Sequence, residues 1–242
     1  MDNVDDVKQP TLRLAGHVRT CAMSDQVVLL DLRRNRYLAL GLKQWEILSG
    51  TTNMPPVGRP GGREDRQDDI RRLSGSLLRQ GILTSLPNHG AHDDAVQSPD
   101  SSLDVRGATP YSAIGANRVW RFMVAATWAA AALRLRSLRS IVDHVARRSS
   151  RLDHPEAAHQ AGLRDAVAAF EALRPLMFTA RDKCLYDSLA LACFMASEGL
   201  KTQWVIGVKT QPFAAHSWVQ AGTVVLNDLH ENVRSFKPIL VV

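Results

Sequence analysis

From residue 184 onward the chain carries three side chains whose types and order suit covalent chemistry on a peptide bond: Cys184, His216 and Asp228. A cysteine thiolate attacks a carbonyl, an imidazolium protonates the departing amine, and a carboxylate fixes the tautomer and steadies the ring's charge. Cys184 is placed where its sulfur ionises readily. Asp182 is a good N-cap, so the cysteine enters the first turn of a predicted helix that ends at Gly199. Unpaired N–H groups and the positive dipole end favour thiolate there. Arg181 and Lys183 push the same way and Asp182 opposes them. The backbone N–H of Cys184 is the expected oxyanion donor. Cys193, mid-helix in the apolar stretch Leu189 to Met195, is an internal contrast: a small inert core residue.

His216 and Asp228 have to meet across a hairpin, and strand side chains alternate faces. A two-residue Ala221-Gly222 turn fails, since it sets His216 against Asn227 and leaves Asp228 on the opposite face. A three-residue Gln220-Ala221-Gly222 loop sets Val219 against Thr223 and His216 against Leu226, with Asp228 a diagonal neighbour on the same face. Such loops favour glycine in third place, where Gly222 stands. Taken alone, a strand histidine beside Trp218 also suits a half-buried sheet; order and spacing relative to Cys184 single it out.

The elements around these residues read as an α+β chain. In the first domain, residues 1–86, β-type runs at His17 to Cys21, Val27 to Leu32 and Arg36 to Leu40 precede helical spacing at Lys43 to Leu48 and Asp69 to Gln80. Asp69 can cap the second helix and Gly81 stop it. Three strands followed by helices is a winged-helix-like order. Residues 87–112, rich in Pro, Gly, Asp and Ser, read as a linker, and Thr51 to Gly62 as a loop inside the first domain. The second domain, 113–242, starts with an alanine-rich helix from Asn117 to about Arg136. Helices near Leu138 to Arg148 and Glu156 to Leu173 follow, then the Cys184 helix, then strands Gln203 to Val208, His216 to Val219 and Thr223 to Asp228.

Composition narrows the functions. With 242 residues, 45% of them hydrophobic, the chain can build packed cores. Three scattered cysteines suggest neither a disulfide framework nor a zinc knuckle, and a reducing compartment fits. The acidic start lacks the features of a secretory signal, and the longest uncharged apolar run, Phe122 to Leu133, is twelve residues, too short to span a membrane. The expectation is a cytoplasmic protein without membrane spans. No histidine and acid set suggests a metal, no phosphate-binding glycine motif appears, and no cofactor is expected. The net charge of +6 is local: Arg118 to Arg151 holds eight arginines and one acid, Asp143. Such a segment attracts an acidic partner or nucleic acid, although it is commonly just a solvated face.

The stretches K-C-L-Y-D-S-L-A-L (183–191), H-S-W-V-Q (216–220) and V-V-L-N-D (224–228), with H-V-R-T-C, V-V-L-L-D-L and R-Y-L-A-L in the first domain, resemble the lasso-peptide B proteins. Fused members of that family join a PqqD-like precursor-recognition domain to a papain- or transglutaminase-like cysteine peptidase. The resemblance implies a Cys184, His216, Asp228 triad. It implies a partner precursor peptide whose leader is removed, and a partner ATP-dependent, asparagine-synthetase-like cyclase, for which Arg134 to Arg151 is a candidate docking surface. Nucleic acid is not an expected partner. Leader recognition would proceed by strand addition along Arg36, Tyr37 and Leu38, with pockets near Leu73 and Leu77. The sequence departs from the family pattern at Ser217 and Gln220, where relatives resemble H-A-W-V-E, and in Thr51 to Gly62, where a short helix is expected. Two other readings use the same residues: an acyltransferase that passes the thioester to an amine, and a winged-helix DNA-binding protein with a non-catalytic second half.

Overall fold

The computed structural model describes residues 12–49, 66–86, 95–105, 114–152, 156–177 and 184–242, and the chain divides into two units, 1–92 and 93–242. In the first unit a short strand β1 (Arg13–Leu14) precedes three longer ones, β2 (Val18–Ala22), β3 (Gln26–Asp31) and β4 (Arg36–Gly41). The last three form an antiparallel sheet in the order β2-β3-β4. Buried Asp31 shapes the β3–β4 turn by accepting the backbone N–H groups of Arg33 and Arg34, at 2.9 and 3.2 Å. Helices α1 (Leu42–Ser49) and α2 (Arg66–Arg79) follow, and β5 (Leu83–Thr84) returns to pair with β1. Gly81, at φ 70°, ends α2 as expected, because its left-handed backbone lets Ile82 N–H reach the Leu77 carbonyl at 2.9 Å. Val27, Leu29, Trp45, Leu48, Leu77 and Ile82 form the centre of this unit's core. The Thr51 to Gly62 loop lies outside the described residues, as does the side chain of Asp69.

The second unit begins earlier than the sequence suggests. Residues 95–105, inside the stretch read as a linker, carry strand β6 (Ser101–Ser102) and join the second unit's sheet. They are held by main-chain bonds: Asp100 N–H to the Thr223 carbonyl at 3.0 Å, and Leu103 N–H to the Val225 carbonyl at 2.8 Å. A segment fastened through its backbone needs no apolar periodicity, and none is visible in the sequence.

Helices α3 (Ala116–Leu135), α4 (Leu138–Ser149) and α5 (Glu156–Leu173) come next, and a 3₁₀ turn at Arg174–Leu176 accommodates Pro175. Helix α6 (Cys184–Ser197) is apolar nearly all round, with Leu189, Leu191, Phe194 and Met195 fully buried. Phe122 of α3, Phe170 of α5 and Phe194 of α6 meet edge-on or tilted, with centroids 5.4 to 6.3 Å apart. The sheet adds β7 (Gln203–Thr210), β8 (Phe213–Ala221), β9 (Val224–Val225) and β10 (Lys237–Val241), in the order β10-β7-β8-β9-β6. A one-turn helix α7 (His230–Val233) separates the last two strands. Strand β10 was not read from the sequence, being one short apolar run after a polar stretch.

One face of this sheet, with Trp204 and Ser217, packs on α6, while Val205, Trp218, Val225, Val233 and Val241 form a small core on the other. Phe170 joins the three helices that carry that packing. Phe170→Ala should lower the unfolding free energy by about 3–5 kcal/mol, read from urea denaturation followed by circular dichroism.

Candidate active site

Cys184 is the first residue of α6 and is half-buried. Its sulfur is hydrogen-bonded to the His216 side chain and accepts the backbone N–H groups of Ser217 and Leu185. On the far side of the ring, His216 Nε2 donates to Asp228 Oδ2 at 2.5 Å. With Nε2 so engaged, Nδ1 is the nitrogen left to face the sulfur. The three residues singled out by type and order therefore stand in one hydrogen-bonded series. Asp182, Arg181 and Lys183 lie outside the described residues.

The hairpin that brings His216 and Asp228 together is not the one expected. The loop is Gly222-Thr223, not Gln220-Ala221-Gly222, and Gly222 takes its first position at φ 59°. Gln220 pairs with Val225 and Ala221 with Val224, and the ladder extends only to Leu226 N–H bonding the Val219 carbonyl at 2.9 Å. Continued regularly, that register would set Asp228 on the face away from His216. It does not continue, because the Asn227 side chain accepts the Val219 N–H through Oδ1 at 2.9 Å, where the next main-chain carbonyl would otherwise bond. The chain bends at residues 226–228 and turns Asp228 towards the imidazole. There Asp228 Oδ1 accepts Leu229 N–H at 2.7 Å and Asn232 Nδ2 at 3.1 Å, holding the start of α7.

The charges follow from this geometry. The hydrogen bond to His216 is the largest influence on Cys184 and lowers its pKa; burial opposes, and the ring's charge and the two backbone donors add to the lowering. The helix tip thus acts through the Leu185 N–H, but the imidazole does more. Hydrogen bonds to Asp228 and then to Cys184 raise His216 to about 9, against the opposing effect of burial. Asp228 is raised by burial, yet its bonds to His216, Asn232 and the Leu229 N–H bring it below the ordinary carboxylate value. Both shifts run towards a thiolate facing an imidazolium. Cys193 behaves as the contrast intended: buried, its thiol is pushed up to about 12. Among the described residues, no group of His, Cys, Asp and Glu could hold a metal ion.

The profile of the transglutaminase-like superfamily matches residues 122–241, from α3 to the end of β10. That segment, just under half of the chain, is a transglutaminase-like domain. A curated relative, the microcin J25-processing protein McjB of Escherichia coli, is 46% identical over 48 residues, which is 20% of this chain and 23% of that protein. The matched segment thus spans about a quarter of that relative. No solved structure matches this one. The two matches support the resemblance to the lasso-peptide B proteins.

Several residues that position the candidate site were not among those singled out for it. Ser188, one turn beyond Cys184, and Ser217, next to His216, place their hydroxyls 2.7 Å apart. Trp204 Nε1 donates to both, at 3.0 and 2.9 Å, and Ser217 Oγ donates to the Val205 carbonyl at 3.0 Å. This buried cluster pins the helix of Cys184 to the strand of His216. Asn227 makes a second link, its Nδ2 donating to Asp187 Oδ2 at 3.4 Å, while Arg174 Nε pairs with Asp187 Oδ1 at 2.8 Å. Burial pushes Asp187 up, partly offset by the Arg174 charge and these bonds. The sequence signal was there: Asp187 and Ser188 are polar residues in an otherwise apolar helix, and buried polar groups require partners. Gly207 is a further requirement, since a Cβ there would lie 2.8 Å from the Trp218 ring and 2.9 Å from Phe236 Cβ. Both rings flank His216, at centroid distances of 6.2 and 5.2 Å.

Both departures in the second unit, Ser217 and Gln220, find hydrogen-bond partners. Gln220, fully buried, accepts Trp218 Nε1 at 2.7 Å and donates to the carbonyls of Gln97 and Gly222 at 3.0 and 2.8 Å. A carboxylate there would lose both donations. In the first unit, Arg36, Tyr37 and Leu38 lie on β4, an edge strand of its sheet. Leu77 requires a correction: it is a core side chain at 4% exposure, so it is held by packing and offers no pocket. Leu38 and Leu73 are partly buried and pack against the same core.

The ionisation of Cys184 is checked by iodoacetamide alkylation against pH, followed by mass spectrometry. Its midpoint should lie below that of an ordinary thiol. In Asp228→Asn it should rise by about one unit or more, because a less basic His216 stabilises the thiolate less. Identical profiles would disprove the coupling.

Proposed function

We propose that this protein is the leader peptidase of a lasso-peptide pathway, a cysteine endopeptidase that cuts a ribosomally made precursor between leader and core. The observation that carries this reading is the Cys184–His216–Asp228 series, with the sulfur lowered and the imidazole raised. The name of the Escherichia coli relative, a processing protein for microcin J25, supports the same class of reaction.

In the proposed mechanism the Cys184 thiolate attacks the carbonyl at the leader–core junction, forming a tetrahedral intermediate stabilised by the Cys184 backbone N–H. Collapse breaks the C–N bond as the His216 imidazolium gives its proton to the core amine. Water, deprotonated by the now neutral His216, hydrolyses the thioester and frees the leader and the thiolate. A partner cyclase would then join the freed amine to a side-chain carboxylate, consuming ATP. The first unit would act as a PqqD-like, winged-helix-like recognition domain. The leader would add as a strand to the β4 edge along Arg36, Tyr37 and Leu38, near Leu73.

Incubation with a candidate precursor, read by mass spectrometry, tests the assignment. Wild type should release leader and free core, and Cys184→Ala should lose at least about 1,000-fold in rate. Equal cleavage by the variant would refute it. The pH profile of kcat/KM should be bell-shaped. Its rising limb follows Cys184 ionisation, and its falling limb lies near pH 9, where His216 loses the proton it must deliver.

Asn227→Ala leaves all three reacting groups in place but frees the bend, so kcat should fall about 100-fold with KM little changed. The falling limb should also move to lower pH as the Asp228 bond loosens. An unchanged limb would mean that Asn227 only supports the fold. Removal of residues 1–86 should abolish binding of a fluorescent leader peptide while Cys184 stays alkylatable, and undiminished affinity would rule out the recognition role.

A further inference from the structure

The α3–α4–α6 side of the second unit carries a groove that the peptidase reading does not use. Trp120 and Trp128 of α3 form one wall, His144 and Arg148 of α4 the other, and Cys193 and Ser197 of α6 the floor, around a cavity of about 390 Å³. Cys193 lies nine residues along α6 from Cys184, roughly 14 Å down the helix axis at its standard rise. The groove is therefore separate from the candidate active site. Trp120 is 68% exposed and Val124, one turn on, is 47% exposed. An unburied indole beside a cavity is a familiar anchor point for a partner.

Charge chooses the kind of partner. The arginine-rich segment holds both paired and unpaired members. Arg118 is neutralised by Asp165 at 2.7 Å and Glu198 at 2.9 Å, and Arg121 pairs with Glu198 at 3.1 Å, so these fasten α3 to α5 and α6. Arg136, Arg147 and Arg148 have no carboxylate partner among the described residues, and all three are exposed. Burial and then the charges of Arg148, Arg136 and Arg147 lower His144, so three positive charges act on the His144 wall of the groove, and Arg148 lines it. Three like charges there repel one another until an anion arrives.

We propose that this groove docks an acidic segment of a partner polypeptide. A large apolar or aromatic side chain would enter beside Trp120, and flanking carboxylates would meet Arg136, Arg147 and Arg148. Single-stranded nucleic acid fits less well. Such strands are tracked by successive free stacking platforms, whereas Trp128 is already covered by His144 at a centroid distance of 4.4 Å, leaving Trp120 alone. The inference rests on the groove and not on the peptidase reading.

The probe is a fluorescein-labelled dodecapeptide rich in Glu with a central Phe, titrated with the full-length protein and read by anisotropy. Controls replace Glu by Lys or Phe by Ser, and oligothymidylate serves as competitor. The Glu/Phe peptide should bind, and binding should weaken about tenfold in high salt. Trp120→Ala and the double variant Arg136→Glu/Arg148→Glu should each weaken it at least about tenfold while leaving the thermal transition in place. The proposal is overturned if the Ser peptide binds equally, if oligothymidylate displaces the probe and binds more tightly, or if the folded variants bind as wild type does. It is also overturned if light scattering shows a dimer that Trp120→Ala dissolves.

Discussion

A half-buried thiolate is costly unless a positive charge stands against it, and here that charge is one imidazolium held from both sides. Asp228 raises the basicity of the His216 ring, the ring lowers the pKa of the Cys184 sulfur, and the sulfur in turn adds to the ring's basicity. The three ionisation states belong to the series as a whole. Nothing in it tolerates much displacement, because a hydrogen bond weakens steeply when its angle or distance drifts. The surrounding fold serves to keep a helix tip, a strand and a bend within that tolerance.

Two polar links, one buried and one partly buried, do this work. The Ser188–Ser217–Trp204 cluster pins the helix of Cys184 to the strand of His216 in a region that is otherwise apolar. The Arg174–Asp187–Asn227 chain fastens the bend carrying the acid to that same helix. In an apolar interior such groups gain by satisfying one another and lose heavily if one partner is removed, so they define a single arrangement more sharply than greasy contacts would. Gly207 adds a steric condition, leaving room for Trp218 and Phe236 to flank the ring.

The charge of the chain follows the same division between internal and outward roles. Some arginines are spent on holding helices together, as Arg118 and Arg121 are, while Arg136, Arg147 and Arg148 have no carboxylate partner among the described residues and are exposed. A net charge summed over the sequence cannot separate these, since pairing depends on which helices pack together.

The sequence by itself determined the candidate residues and their order: a cysteine opening an apolar helix, then a histidine and an acid flanking a glycine turn, with the buried Cys193 as a counterpart. It also determined the element types, because apolar spacing, Gly81 and Gly199 state locally where helices run and stop. Only the tertiary structure decided the hairpin register, since a glycine turn permits more than one and the outcome depended on Asn227 displacing a ladder bond. It likewise decided that residues 95–105 serve a sheet rather than a linker, and that Leu77 fills a core rather than a pocket. These choices rest on partners distant in the chain. Main-chain hydrogen bonds and buried polar pairs leave no periodic trace in the residues that make them.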